Sequence, residues 1–392
     1  SAGDTAAASD AAPAESTAES AAAEDSTEAV LPGEPHPLSA YSACAVSGSS
    51  VYTAVSHFSS SEDSLGSFDH STVYKTDLTT GQTYEMYRTG SQLASAPLII
   101  DDTLYFICYD GGMLALPTTG GEARVLPFSY DDWMPVFYAG HYLYCRSVSA
   151  APFCRTGGMR FNLENGETAP WNIPVETMYI PDVVGDALLL CRVVSDYPVP
   201  YPDDDEMSQA LLQNTTLEYT LADPATGAVR QTCFTLPYDI PQPGNLTVYT
   251  YLGKCGSDFY FRADQCDDEY ALVSQSVLRI GTDGTRTDLG ITKTPDYLDY
   301  CAVLQGDEVR WLLTRGPDGI YLIYDTQGNE IGRNKRPAGL DAFFPLCMLD
   351  DGRLLMVVGY DWEHDSAARY AVMDADEFLN GGSSYREMMF VE

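Results

Sequence analysis

The chain has 392 residues, enough for one large repeat domain or two ordinary ones. Its 57 acidic and 21 basic residues give a formal net charge of −36, which argues against nucleic acid or anionic membrane as main partner, because phosphate contact needs a basic footprint. No apolar run is long enough to cross a bilayer as a helix, and the 10 cysteines include no Cys-x-x-Cys pair, which argues against a structural zinc site.

Residues 1–38 are almost entirely Ala, Ser, Thr, Glu, Asp, Pro and Gly, and the first basic residue of the chain is Lys75. Such a segment cannot bury enough apolar surface to offset its ordering entropy, so it is expected to be a disordered acidic tether. The chain opens on Ser rather than Met, so an N-terminal piece is expected to have been removed. Residues 28–38 could instead add a strand to the domain that follows.

From residue 39 to 392 one unit recurs seven times, at a spacing on the order of 40–60 residues, as in propellers, solenoids and arrays. Each unit reads as four strands, a to d. Strand a opens with proline in four units, at Pro97, Pro135, Pro181 and Pro345. Proline lacks an N–H and is tolerated at the start of an edge strand, which the innermost strand of a propeller blade is. The a–b turns are short and polar: Gly48-Ser49, Asp101-Asp102, Gly140-His141, Gly185-Asp186, Gly256-Ser257, Gly306-Asp307 and Asp351-Gly352. Strand b is apolar on both faces, as in Leu104-Tyr105-Phe106-Ile107 and Leu354-Leu355-Met356-Val357-Val358. A strand needs that when both sides of its sheet are covered. Strand c ends at a turn with a late glycine, as in Asp77-Leu78-Thr79-Thr80-Gly81, Asp223-Pro224-Ala225-Thr226-Gly227 and Asp325-Thr326-Gln327-Gly328. The last unit replaces this turn with residues 375–384, where a short helical turn fits. The expected fold is an all-β, seven-bladed β-propeller over 39–392, six and eight blades being the alternatives.

The pattern resembles bacterial extracytoplasmic β-propellers, including the YVTN-like and WD40-like lipoprotein families, over residues 39–392. The tether is similar to the segment that follows the lipidated cysteine of such lipoproteins. The resemblance implies an extracellular protein anchored to the cell surface, with the membrane reached only through a removed N-terminal lipid anchor. The Asp-x-x-Thr-Gly turns are similar to those of quinoprotein propellers, but the tryptophans that follow the turn there are absent, and no cofactor is expected.

In a four-stranded blade the b–c and d–a loops share one end of the ring. The long loops of this sequence are b–c loops, at 56–71, 148–158, 194–215, 263–275 and 360–369. Long loops on a rigid scaffold carry function. The candidate ligand-binding residues there are Asp131, Asp132, Trp133, Tyr197, Tyr201, Tyr360, Asp361 and Trp362. Aromatics beside carboxylates can stack on a sugar ring and accept its hydroxyl hydrogen bonds, or hold a peptide or a cation. Asp267-Asp268-Glu269-Tyr270 repeats that chemistry. His57, His70 and His364, with Asp69 and Asp361, are set aside as exposed loop residues rather than a metal site. Two cysteine pairs, Cys255/Cys266 and Cys145/Cys154, flank strands and could bridge. No nucleophile elbow, His-Glu-x-x-His or phosphate-binding loop is present. The expectation is a binding or interaction module for a glycan, peptide or protein. The alternative is a glycoside hydrolase or lyase using acidic residues of that end.

Overall fold

The computed structural model describes residues 30–38, 44–59, 67–94, 96–147, 157–174, 177–195, 215–238, 246–291, 300–316, 319–364 and 366–391. Among them run seven consecutive antiparallel meanders of four strands. The first is Ala45–Ser47, Ser50–Phe58, Phe68–Asp77 and Gln82–Thr89. The second is Leu98–Ile100, Thr103–Ile107, Met113–Pro117 and Arg124–Leu126. The third is Trp133–Ala139, Tyr142–Ser147, Gly158–Asn162 and Thr168–Trp171. The fourth is Thr177–Val184, Ala187–Ser195, Thr215–Ala222 and Val229–Pro237. The fifth is Thr247–Cys255, Asp258–Cys266, Leu272–Gly281 and Arg286–Asp288. The sixth is Tyr300–Gln305, Glu308–Arg315, Ile320–Tyr324 and Glu330–Lys335. The seventh is Phe344–Met348, Leu354–Asp361, Ala367–Met373 and Tyr385–Glu387. The short helix Ala375–Leu379 occupies the insert before the last strand, capped by the Asp374 carboxylate on the N–H of Glu377.

The packing closes these meanders into a β-propeller. Each apolar cluster joins two successive meanders. Tyr52 and Val73 pack on Leu104 and Phe106, and Tyr105 and Met113 on Leu143 and Phe161. Phe137 and Tyr144 meet Leu188 and Leu190, and Tyr219 and Phe234 meet Phe259 and Phe261. Tyr260 and Val277 meet Val309 and Leu312, and Trp311 and Ile323 meet Met356 and Phe378. The last cluster joins the ends of the chain, Cys44, Val51 and Leu78 against Leu355, Val357 and Tyr370. This arrangement explains why strand b is apolar on both faces: Leu188, Leu189, Leu190 and Cys191 are all buried, successive residues facing opposite neighbours. Each such side chain contributes roughly 1.5–3 kcal/mol of transfer free energy.

Two segments outside the meanders add strands to them, the first within residues 28–38, where the sequence reading allowed one. Pro35–Pro37, within the segment assigned to the tether, is a strand antiparallel to Trp133–Ala139, with Pro35 opposite Ala139 and Pro37 opposite Phe137. Strand a of the third meander is therefore not the innermost edge. The tether expectation is confined to residues before Leu31, which packs between meanders three and four; residues 1–29 lie outside the described residues. The second segment is the C-terminal strand Met389–Phe390, parallel to the outer strand of the first meander. The prolines expected to open strand a also sit elsewhere. Pro135 and Pro345 lie inside their strands at register shifts, where the extra residue of a bulge removes the need for a ladder N–H.

The c–d turns share one device. The Asp77 carboxylate accepts the N–H groups of Thr79 (2.7 Å) and Thr80 (3.1 Å), and Asp223 accepts those of Ala225 (3.0 Å) and Thr226 (2.9 Å). Asp325 accepts from Gln327 (2.9 Å) and Asn329 (2.8 Å). Asn162 does the same in the third meander, accepting from Glu164 at 2.8 Å. Backbone hydrogen bonds pull Asp77 and Asp283 below the usual carboxylate range; at Asp223 and Asp325 burial pushes up, and the hydrogen bonds outweigh it. A carboxyl whose folded pKa is depressed adds stability above its unfolded value, near 3.9, and loses it as pH falls through the folded pKa. Acidification from neutrality first relieves the repulsion of the −36 charge and only then protonates these turns. Stability is therefore expected to peak at roughly pH 4.5–6 and fall steeply below about pH 4. Urea midpoints measured from pH 3 to 8 check this, and a monotonic rise to neutrality contradicts it.

The cysteine pairings need correction. Cys255 is at the a–b end of its hairpin, opposite Asp258, and Cys266 is at the b–c end, opposite Leu272. A whole strand separates them, far beyond disulfide reach. Cys145 is fully buried between meanders two and three, and Cys154 lies outside the described residues.

Candidate functional site

The b–c corners carry the exposed aromatic side chains. Among the described residues the large aromatics exposed to solvent are Trp362 (75%), Phe58 (52%), Tyr109 (51%), Tyr270 (46%) and Tyr360 (38%). All five stand at or just past the end of a strand b. Strands alternate in direction through each meander, and strand a of the sixth runs parallel to strand a of the seventh, pairing Leu304 with Cys347. The b–c corners therefore share one end of the ring. The short a–b and c–d turns take the other.

Local chemistry holds each aromatic out. In the seventh meander Asp361 ends strand b, and its carboxylate accepts the N–H groups of Glu363 (2.9 Å) and His364 (3.2 Å). Burial alone would push that carboxyl up; its hydrogen bonds with His364 and the backbone N–H groups bring it below the ordinary range. Asp361 thus fixes the 3-10 turn Trp362–His364 that displays Trp362. His364 stacks on Phe390 of the C-terminal strand, ring centroids 4.3 Å apart, which ties the turn to the first meander. In the fifth meander Asp267 accepts the N–H groups of Glu269 and Ala271, both at 2.9 Å. Tyr270 sits between them with φ of 64°, a conformation uncommon for a bulky side chain. In the second, Tyr109 meets Tyr130 edge-on at 5.6 Å.

The sequence-derived residues fall into two groups. Asp131 and Asp132 are exposed beside Tyr130, and Asp132 accepts a hydrogen bond from the Ser129 hydroxyl at 2.7 Å. Trp133 is not a loop-tip residue: it begins strand a, is half-buried and packs on the core between meanders two and three. It also lines a hollow of about 430 Å³ with Phe128, Met159 and Pro170. Tyr360, Asp361 and Trp362 form the second group, four meanders further round. Tyr197 and Tyr201 lie outside the described residues. Sequence reasoning missed Phe58 and Tyr109. Their signal was an aromatic placed directly where the apolar run of strand b ends. His57 and His70 are cross-strand partners with stacked rings 4.0 Å apart, and Asp69 sits 2.9 Å from His70 Nδ1.

A second feature lies on the axis. A cavity of about 720 Å³ is lined by the first strands of all seven meanders and by His36, Pro37 and Leu38. Beside it Lys254 Nζ donates to Asp182 at 3.2 Å and to the Asp307 carboxylate, and the Tyr251 hydroxyl donates to Asp182 at 2.7 Å. Burial pushes the Asp182 carboxyl up, with Tyr251 and Lys254 pulling against it. Burial pulls Lys254 down, but Asp307 and Asp182 hold it above its ordinary value as an ammonium. Nothing in the sequence marked these four residues, which come from three meanders.

No protein family and no curated protein matches the chain. Among solved structures it is similar to the oligogalacturonate lyase of Vibrio parahaemolyticus, at 10% identity and a TM-score of 0.45, over 79% of this chain and 85% of that one. It is also similar to BamB from Moraxella catarrhalis, at 11% identity and a TM-score of 0.40, over 84% and 93% of the two chains. The Dos1 propeller matches at 11% identity and a TM-score of 0.41, over 82% and 81%. Likeness of this degree does not bear on activity.

Proposed function

We propose that this chain is an extracytoplasmic binding or interaction module that takes a glycan, peptide or protein ligand on the b–c end of the propeller. The observation that carries the reading is the confinement of all five exposed large aromatics among the described residues to that end. Exposed aromatics cost solubility, and on a strongly charged surface their gathering at one end marks contact area. Carboxylates adjoin three of them in sequence, at Asp110, Glu269 and Glu363, and supply acceptors for hydroxyl or amide donors. The extracytoplasmic setting is supported by the basic-free Ala/Ser/Glu composition before Leu31.

Trp362 is the cleanest probe, because it is three-quarters exposed and packs on no core cluster. A glycan and peptide array identifies a ligand. Trp362→Ala is then expected to weaken its binding by about 30-fold, some 2 kcal/mol, at unchanged unfolding midpoint. Binding unaffected by both Trp362→Ala and Tyr360→Ala would refute this placement. Trp133→Ala is a poorer probe, since it also removes packing between meanders two and three.

A further inference from the structure

We propose that the axial cavity is a separate binding site for a small organic carboxylate, with Arg146 as the residue that takes the carboxylate group. This proposal does not depend on the aromatic end. The cavity, at about 720 Å³, falls within the roughly 300–1,000 Å³ of small-molecule sites. Its walls carry apolar side chains, from Leu98, Val136, Leu252, Leu304 and Met348, together with the carboxylates of Asp182, Asp307 and Asp350. The two cations near the axis are treated differently. Lys254 is held between Asp182 and Asp307. Arg146, in strand b of the third meander, lines the cavity; among the described residues it donates to the Ser147 carbonyl (3.3 Å) and the Met134 sulfur (3.5 Å).

Eight other arginines lie within ion-pair distance of a carboxylate, and Arg124, Arg286, Arg336 and Arg386 instead donate to backbone carbonyls away from the axis-lining strands. Arg146 has no such carboxylate among the described residues, although acids outnumber bases 57 to 21. Burial pulls its guanidinium below arginine's ordinary value. A partly buried guanidinium that lines a cavity is complemented by an oxyanion that takes both arms of its fork, and beside apolar side chains the oxyanion of lowest charge costs least to desolvate. That is a carboxylate, which accepts two parallel N–H bonds from the planar fork. The apolar side chains suit an alkyl or aryl body behind it. The cavity's aspartates do not forbid this: Arg146 lies opposite Met134 near the b–c end, while Asp182 lies opposite Leu189 and Asp307 sits in an a–b turn, toward the other end.

The test uses the whole chain and three probes of one shape: phenylbutyrate, phenylbutanol and phenylbutylamine, titrated by calorimetry at physiological ionic strength. Phenylbutyrate is expected to bind at least about tenfold more tightly than the alcohol, with the amine weakest. Arg146→Met should bring phenylbutyrate down to the level of the alcohol, while Arg146→Lys keeps part of the difference. The same Arg146→Met variant should unfold at the parent's urea midpoint or above it, since it removes a partly buried charge with no counter-ion among the described residues. Trp362→Ala should bind phenylbutyrate as the parent does, which separates this site from the aromatic end. Equal binding of acid and alcohol overturns the proposal. So does an Arg146→Met variant that keeps its preference for the acid, or one whose midpoint drops markedly and so shows a structural role.

Discussion

Replacing Lys254 with methionine is expected to destabilise the propeller by about 3–5 kcal/mol, the usual cost of breaking a buried ion pair from one side. Its side chain is 6% exposed and that of Asp182 is 10% exposed, so both charges are largely withdrawn from water. Methionine fills the space of the lysine stem but leaves the Asp182 carboxylate with only the Tyr251 hydroxyl and the N–H of Val183. Asp307 is about half exposed and can turn to solvent, so its loss costs less. The order expected in urea denaturation is therefore Lys254→Met most harmful, Asp307→Asn mild, and the double variant Lys254→Met with Asp182→Asn partly restored. The restoration follows because a neutral amide needs no counter-charge. A Lys254→Met variant within about 1 kcal/mol of the parent would show that the network is not a buried pair.

Met388→Ala is expected to cost about 2–4 kcal/mol, the range for removing a buried methionine side chain. Met388 is 1% exposed and lies in the cluster that joins the seventh meander to the first. Its N–H donates to the Tyr370 carbonyl at 2.8 Å. The next residues pair outward, with Met389 donating to the Gly81 carbonyl and Val391 to that of Thr83, both at 2.9 Å. Arg386 adds bonds to the carbonyls of Leu78 and Thr79. The chain end thus clasps the ring shut, and faster hydrogen exchange should appear first at the amides of residues 387–391. Loss spread evenly over all seven meanders would contradict the clasp.

Much of the propeller could be read from residue order because its units are local. The a–b turns Gly140-His141 and Gly306-Asp307, the doubly apolar strands b and the Asp/Asn-to-Gly turns all lie within one meander, where neighbours in sequence are neighbours in space. Contacts between meanders left no such trace. Lys254 sits in Leu252-Gly253-Lys254-Cys255-Gly256, which reads as the end of a strand before a turn; its partners are 72 and 53 residues away. Pro35–Pro37 reads as tether by composition and becomes a strand only because Trp133–Ala139 offers it an unpaired edge. Of the candidate site, Trp362 was readable because its loop is local. The half-burial of Trp133 was not, because it depends on how the second meander packs on the third.

The way the chain enters the ring sets a direction. Pro32 and Gly33 lie against Gly140, whose φ of 54° and lack of a side chain leave room for them. From there Pro35–Pro37 runs inward along the axis. The entry point is the a–b turn of the third meander, at the opposite end from Trp362 and Tyr270. The end of the ring that takes up Pro32 and Gly33 is therefore not the end that carries the exposed aromatics, and a ligand on the rim leaves this entry uncovered.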